Sequence, residues 1–306
     1  MIVCGTDFSP SATRAANVAA LVARRAGTPV ELVSATVARQ DRAGGSEAGL
    51  AVTAESRAAR MAAETERVRA MGVSVEGTLD SSLPHHALAQ RALHPETTLL
   101  VLGAQGHSFL QRVLLGSVAE RVAMESTKPV LVVRDDAPWR RWAEEAQPLR
   151  VMVGFDPGSS ASAALDWAAS LAAWGAVKLT VCWVVNPGME NQRAGATGQA
   201  AGIELLPKTR ETLWRELQTL VDARVQARGQ AHGALPSVTP LLEANPGRID
   251  SALTQLAASL GQDLLVVGSH QRTHFQRIWQ QSVSRGVLHD SEMSVAVVPH
   301  VRDEQR

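Results

Sequence analysis

Residues 98–106, Thr-Leu-Leu-Val-Leu-Gly-Ala-Gln-Gly, decide the fold class of this chain. The apolar run at their start is typical of a short strand that is buried on both faces of a parallel sheet. After nine further residues comes Gly116-Ser117-Val118-Ala119-Glu120, in which Ser117 and Glu120 have the capping-box spacing that begins a helix. The segment therefore predicts a buried strand, a glycine-rich loop and a helix, which together favour an α/β fold.

The glycines of this loop predict an anion site. Gly103 and Gly106 can adopt backbone angles closed to other residues, and they let main-chain N–H groups approach a ligand closely. Gly116 and Ser117 would present unpaired N–H groups and the positive dipole end of the helix to an anion. The alternative is that these are ordinary loop glycines. The flanking strand and helix favour a bound polyphosphate.

A second element at the N-terminus agrees with this interpretation. Residues 1–5 form an apolar run that predicts a strand, Thr6 and Asp7 follow it, and residues 12–26 are an Ala-rich helical stretch. An Asp at the carboxyl end of a parallel strand lies in the crevice where open α/β sheets bind ligands.

The sequence Thr6-Asp7-Phe8-Ser9, together with the spacing Gly-x2-Gly-x9-Gly-Ser, resembles the ATP-binding branch of the universal stress protein family. The resemblance covers nearly the whole chain in two copies. It implies an α/β, doubly wound fold of the adenine nucleotide alpha hydrolase type, with an open, mostly parallel five-stranded sheet and flanking helices in each copy. It also implies that ATP is the ligand, and Mg²⁺ is compatible with such a site.

The resemblance assigns the nucleotide contacts residue by residue. Asp7 would hold the ribose, and Thr6, Val37 and Leu102 would lie beside the adenine. The phosphates would be wrapped by Gly103, Gly106, Gly116, Ser117 and Val118. His107, which directly follows Gly106, could approach the phosphates as a donor or proton relay, and a solvated loop histidine is the alternative.

The chain contains an internal repeat that can be seen without the family. Residues 151–156 repeat the opening strand and place Asp156 where the first copy has Asp7. Gly268 and Ser282 follow Gly103 and Ser117 at one common offset. Two domains are predicted, 1–134 and 149–306, joined by a linker at 135–148 in which Trp139 and Trp142 would share one side of a short helical turn and pack onto a domain; a partner-binding patch is the alternative.

The second copy has lost much of the phosphate motif. Gln271 and Gln281 replace two of the three glycines, and Phe155 replaces Thr6. The sequence therefore predicts one ATP per chain, in the first copy. Three arginines lie near the second loop: Arg272, Arg277 and Arg285. They could bind an anion, but a solvent-exposed face is the favoured interpretation.

Composition excludes several classes of function. Lys and Arg (30) balance Asp and Glu (30), which argues against nucleic-acid binding. No apolar run is long enough to span a membrane, and Met1 begins a core strand, so a cytoplasmic protein without a secretory leader is expected. Cys4 and Cys182 lie in apolar runs typical of buried small hydrophobes. The histidines show no recognisable metal set.

These observations favour a nucleotide-responsive cytosolic stress or regulatory protein with an unknown protein partner. A slow ATP hydrolase, and an interaction scaffold whose nucleotide is structural or absent, are the alternatives, and no catalytic residue is identified. The last apolar strands of the two copies, 129–133 and 294–298, are expected to pair with each other in an intrachain pseudo-dimer. Homodimerisation of whole chains is left open.

Overall fold

The structure is a computed structural model. It describes residues 1–35, 47–105, 115–196, 202, 204–232, 236–270 and 283–300. The chain divides into two compact units, Met1–Ala143 and Glu144–Arg306.

The first unit is built on a five-stranded parallel sheet. Its strands are β1 (Ile2–Gly5), β2 (Val30–Ala35), β3 (Val75–Asp80), β4 (Leu99–Gly103) and β5 (Val130–Val133). They are ordered β3-β2-β1-β4-β5, and all four pairings between neighbours are parallel. The strand order reverses between β1 and β4, and ligands of open α/β sheets bind at the carboxyl ends of the strands at such a point.

Among the described residues of this unit, five helices connect or flank these strands. They are α1 (Pro10–Ala26), α2 (Glu47–Arg69), α3 (Pro84–Ala92), α4 (Ser117–Glu125) and α5 (Ala137–Glu144). Ser9 caps α1, Pro10 stands in its first turn, and Gly27 ends it in the left-handed region at φ 64°. Pro is pre-organised for a first helical turn, and glycine adopts a left-handed φ without strain, so the chain marks both ends of α1. Small alanine side chains on the buried face let α1 pack closely on the sheet.

The second unit repeats this architecture. Its strands are β6 (Leu149–Phe155), β7 (Val177–Val185), β8 (Ser237–Ala244), β9 (Leu264–His270) and β10 (Ser294–His300). They are ordered β8-β7-β6-β9-β10, and their pairings are parallel. Its helices are α6 (Ser159–Ser170), α7 (Pro187–Arg193), α8 (Pro207–His232), α9 (Ile249–Ser259) and α10 (Val283–Asp290). The prediction of two tandem, mostly parallel five-stranded α/β sheets is confirmed.

The predicted linker contains α5, which belongs to the first unit. Trp139 and Trp142 are each only 1% exposed, and their rings meet edge to face with centroids 6.1 Å apart. The Arg25 guanidinium on α1 donates to the carbonyl oxygens of Trp142 (3.3 Å) and Ala143 (2.8 Å). The expected packing of the two tryptophans on a domain is therefore confirmed, and the first unit extends beyond residue 134.

Candidate nucleotide site

The first part of the site is the tight turn between β1 and α1. The Phe8 N–H donates to Thr6 Oγ1 (3.0 Å), and the Ser9 N–H donates to Asp7 Oδ1 (3.0 Å). Phe8 has a φ of 63°, an unusual backbone conformation for a large side chain. Asp7 is exposed, whereas Thr6 is buried. The turn thus holds the Asp7 carboxylate in a defined orientation at the carboxyl edge of the sheet.

The second part is the base of the loop that follows β4. The Ala104 N–H donates to the Val133 carbonyl (3.0 Å), and the Gln105 N–H donates to Ser11 Oγ (3.2 Å). Across the loop, the Gly116 N–H donates to the Ala104 carbonyl (2.7 Å). These three hydrogen bonds fix both ends of the loop beside the first turn of α1. Gly106, His107 and Val37, predicted as nucleotide contacts, lie outside the described residues.

The hydrogen bond of Gly116 corrects one prediction. Its N–H was expected to face an anion unpaired, but the Ala104 carbonyl takes it. The φ of −70° at Gly116 is open to any residue, so left-handed backbone geometry does not require glycine there. Glycine at position 116 still has one consequence, because it places no side chain next to the loop.

The start of α4 also differs from the prediction. Ser117 is the first residue of the helix and Gly116 is its N-cap, so the capping box predicted from Ser117 and Glu120 is wrong by one position. Gly116 makes no side-chain capping hydrogen bond. Ser117 is exposed and Val118 is half-buried. A glycine N-cap brings no side chain of its own to the positive end of α4, which suits an anion, whereas Glu120 places an acidic residue in the same first turn.

Gly103 is required by close packing of β4 on α1. A Cβ atom at Gly103 would lie 2.7 Å from both the carbonyl carbon and Oγ of Ser11. In the second unit, a Cβ atom at Gly268 would lie 2.3 Å from the Ser160 carbonyl oxygen. This shared contact explains why the second copy retains this glycine after losing the other two.

Leu102 is buried at the end of β4. The side-chain atom Cδ2 lies only 2.5 Å from the place that a Cβ atom of Gly5 would take. Leu102 therefore packs against β1 in the core. Its contact with adenine stays a prediction.

Two arginines of α2 reach the same edge of the sheet and were not predicted. Arg57 Nη2 donates to the Ser34 carbonyl at the end of β2 (3.2 Å). The Arg60 guanidinium lies 4.8 Å from the centre of the Phe8 ring, a cation–π distance. Their spacing places them on one face of α2, but the sequence alone could not show that this face lies over Phe8.

The turn that leads from β6 into α6 in the second unit differs from the turn between β1 and α1. Phe155 is buried where the first unit has Thr6, whereas Asp156 is exposed like Asp7. Gly158 is the N-cap of α6 and provides no side-chain cap, in contrast to Ser9. Residues 271–282, which correspond to the glycine-rich loop of the first unit, lie outside the described residues. They include Gln271, Gln281 and Ser282, and also Arg272 and Arg277.

The two cysteines lie in the cores of their units. Cys4 and Cys182 are buried free thiols, and burial raises the pKa of each to about 12. Both are therefore protonated near neutral pH, which makes them poor nucleophiles. In the part of the chain that the structure describes, no group of three or more His, Cys, Asp or Glu side chains could hold a metal ion. Among those residues, no helix has the length and apolarity needed to cross a membrane.

Comparison with known proteins agrees with the fold and the repeat. The sequence profile of the Universal stress protein family matches residues 1–134 and 149–299. The chain belongs to the universal stress protein family. The two matched regions correspond to the two copies seen in the sequence.

Two curated relatives match this chain over only part of its length. The protein is 36% identical over 69 residues to universal stress protein YxiE of Bacillus subtilis, a match to 22% of this chain and 47% of the relative. It is 34% identical over 64 residues to universal stress protein MJ0577 of Methanocaldococcus jannaschii, which is 21% of this chain and 40% of the relative. The chain thus matches less than half the length of these curated relatives.

One solved structure supports the tandem fold, and a second is similar in sequence to part of the chain. A universal stress protein from Archaeoglobus fulgidus aligns over 98% of both chains with a TM-score of 0.68 and 16% identity, which shows the fold alone. A universal stress protein solved in complex with cAMP is 28% identical, with a TM-score of 0.35, over 43% of this chain and 94% of that one.

Proposed function

We propose that the first unit binds one ATP and that the protein acts as a nucleotide-responsive regulatory protein in the cytosol. The observation that carries this proposal is the meeting of the Asp7 turn and the loop base of Gly103–Gln105 at the point where the strand order reverses. An exposed carboxylate suits the ribose hydroxyls, because an ionised acceptor makes strong hydrogen bonds.

The phosphate end of the site is supported by the electrostatics of α4. Its N-cap, Gly116, makes no side-chain capping hydrogen bond, and Ser117 beside it is exposed. A helix terminus of this kind favours negative charge through its dipole and its N–H groups. This terminus supports the placement of the phosphates beside the start of α4. Mg²⁺, if bound, would come with the phosphates, since it usually keeps several waters and few protein ligands.

Slow hydrolysis and a scaffold without a required nucleotide are the alternative functions. Efficient phosphoryl transfer needs a positioned nucleophile and stabilisation of transition-state charge, besides binding. Binding alone would suffice for regulation, because a ligand that favours one conformation of the loop shifts its population and so alters a partner surface.

The first experiment identifies the ligand. Purified protein is denatured, and the mass of any released small molecule is measured. Calorimetric titration with ATP, ADP, adenosine and cAMP then ranks the ligands, and multiple-turnover kinetics measure hydrolysis. Tight ATP binding with negligible turnover supports the proposal. Absence of binding to all four ligands favours the scaffold, and steady turnover favours the hydrolase.

A glycine exchange between the two copies tests the placement of the phosphates. Gly116→Gln installs the residue found at position 281 and is expected to weaken ATP binding by about tenfold or more, which corresponds to at least about 1.4 kcal/mol. The φ of Gly116 is accessible to glutamine, so the fold should persist, as circular dichroism would show. The reverse exchange Gln281→Gly is the matched control and should leave ATP affinity unchanged. Unaltered binding by Gly116→Gln would place the phosphates elsewhere.

A further inference from the structure

Ser11 lies in the first turn of α1, between the two halves of the candidate site. Its hydroxyl accepts a hydrogen bond from the Gln105 N–H (3.2 Å), and its backbone packs against Gly103. Ser11 itself is buried. This side chain therefore connects α1 to the start of the phosphate loop.

The same turn of α1 also holds the Asp7 carboxylate. Ser9, the N-cap of α1, donates its N–H to Asp7 Oδ1, and its own Oγ accepts from the Ala12 N–H (3.2 Å). One rigid helical turn thus carries both the hydrogen bond that orients Asp7 and the hydrogen bond that holds Gln105. The distance between the ribose side and the phosphate side of the site is set by this turn.

We propose that Ser11 is a positioning residue that holds Gln105, the last described residue of the Gly103–Gln105 segment, at a fixed place relative to Asp7. This inference rests on the proposed function, since it concerns the nucleotide site. Ser11 does not need to touch the nucleotide. It acts through Gln105, and a binding segment that is already held in place loses less conformational entropy when a ligand binds.

The test separates the phosphate side of the ligand from the nucleoside side. ATP uses both halves of the site, whereas adenosine has no phosphates. Ser11→Ala removes the hydroxyl and is expected to weaken ATP binding by about three- to tenfold, the effect of one lost neutral hydrogen bond, while adenosine affinity changes less than about twofold. The matched control is Ser160→Ala, the same exchange at the equivalent position of the second unit, which should leave both affinities unchanged.

Hydrogen exchange of the ligand-free protein gives a second readout. Ser11→Ala should accelerate amide exchange in peptides that contain Gln105, and Ser160→Ala should not. Equal losses of ATP and adenosine affinity, or unchanged exchange near Gln105, would overturn the role of Ser11. Failure of the unmodified protein to bind ATP would overturn the proposed function itself, and the exchange measurement would still report whether Ser11 holds the loop.

Discussion

A glycine in a phosphate-binding motif can be retained for a reason other than the phosphate. Gly103 stands where β4 passes the first turn of α1, and Gly268 has the same place relative to α6. In each case an added Cβ atom would meet main-chain atoms of the helix, which cannot move away as the end of a flexible side chain can. The packing requirement is therefore the same in both units, whatever each unit binds.

This account predicts a loss of stability from Gly103→Ala and from Gly268→Ala. Each exchange forces the strand and helix apart and should lower the free energy of unfolding of its unit by about 1–3 kcal/mol, the usual cost of overpacking. Urea denaturation followed by circular dichroism measures the change. Gly247→Ala serves as the control, because the nearest atom to a Cβ there is the side-chain oxygen of Asn245. An unchanged Gly268→Ala protein would contradict the packing explanation.

At the scale of elements, α5 shows how a segment between two repeats becomes part of one of them. The carbonyl groups at its C-terminal end accept hydrogen bonds from Arg25, whose positive charge also suits the negative end of the helix dipole. Near its start, Asp136 Oδ2 accepts from Asn17 Nδ2 (2.7 Å). Both ends of α5 are thus fixed to α1.

We predict that removal of the α5 tryptophans destabilises the first unit. Trp142→Ala should lower its free energy of unfolding by about 3–5 kcal/mol, the usual cost of truncating a buried large aromatic side chain. Thermal unfolding measures the loss, and hydrogen exchange of peptides from residues 1–35 assigns it to the first unit. Trp214→Ala, at a half-buried tryptophan of the second unit, is the comparison and should not accelerate exchange in those peptides. A first unit unaffected by Trp142→Ala would mean that α5 is only loosely attached.

The strands could be predicted from the sequence because buried parallel strands are continuous apolar runs, as at Leu99–Gly103. The first residue of α4 could not be predicted, because Ser117 and Glu120 fit the capping-box spacing although Gly116 is the N-cap. Hydrogen bonds between residues distant in the sequence could not be predicted either. Nothing in the local pattern shows that Ser11 accepts a hydrogen bond from Gln105, because that contact depends on the packing of α1 against β4.

At the scale of the whole molecule, the two units have kept the same fold and differ at several positions of the predicted nucleotide site. The packing glycine is common to both, whereas the side-chain cap of Ser9 and the polar Thr6 belong to the first unit only. The glycine that packs the strand on the helix was retained, whereas only some of the predicted site residues were. Pairing of the two units through their last strands stays a prediction.

The divergence predicts that the intact chain binds one ATP, although each unit carries an exposed Asp after its first strand. Calorimetric titration should give one site per chain. Asp7→Ala should weaken this site by about tenfold or more, because a hydrogen bond to a charged group contributes roughly 1.5–3 kcal/mol. The matched exchange Asp156→Ala should change neither the stoichiometry nor the affinity, since Gln271 and Gln281 replace the loop glycines in that copy and Phe155 fills the position of Thr6. Two sites of equal affinity, or equal losses in the two variants, would show that the second unit binds ATP despite these replacements.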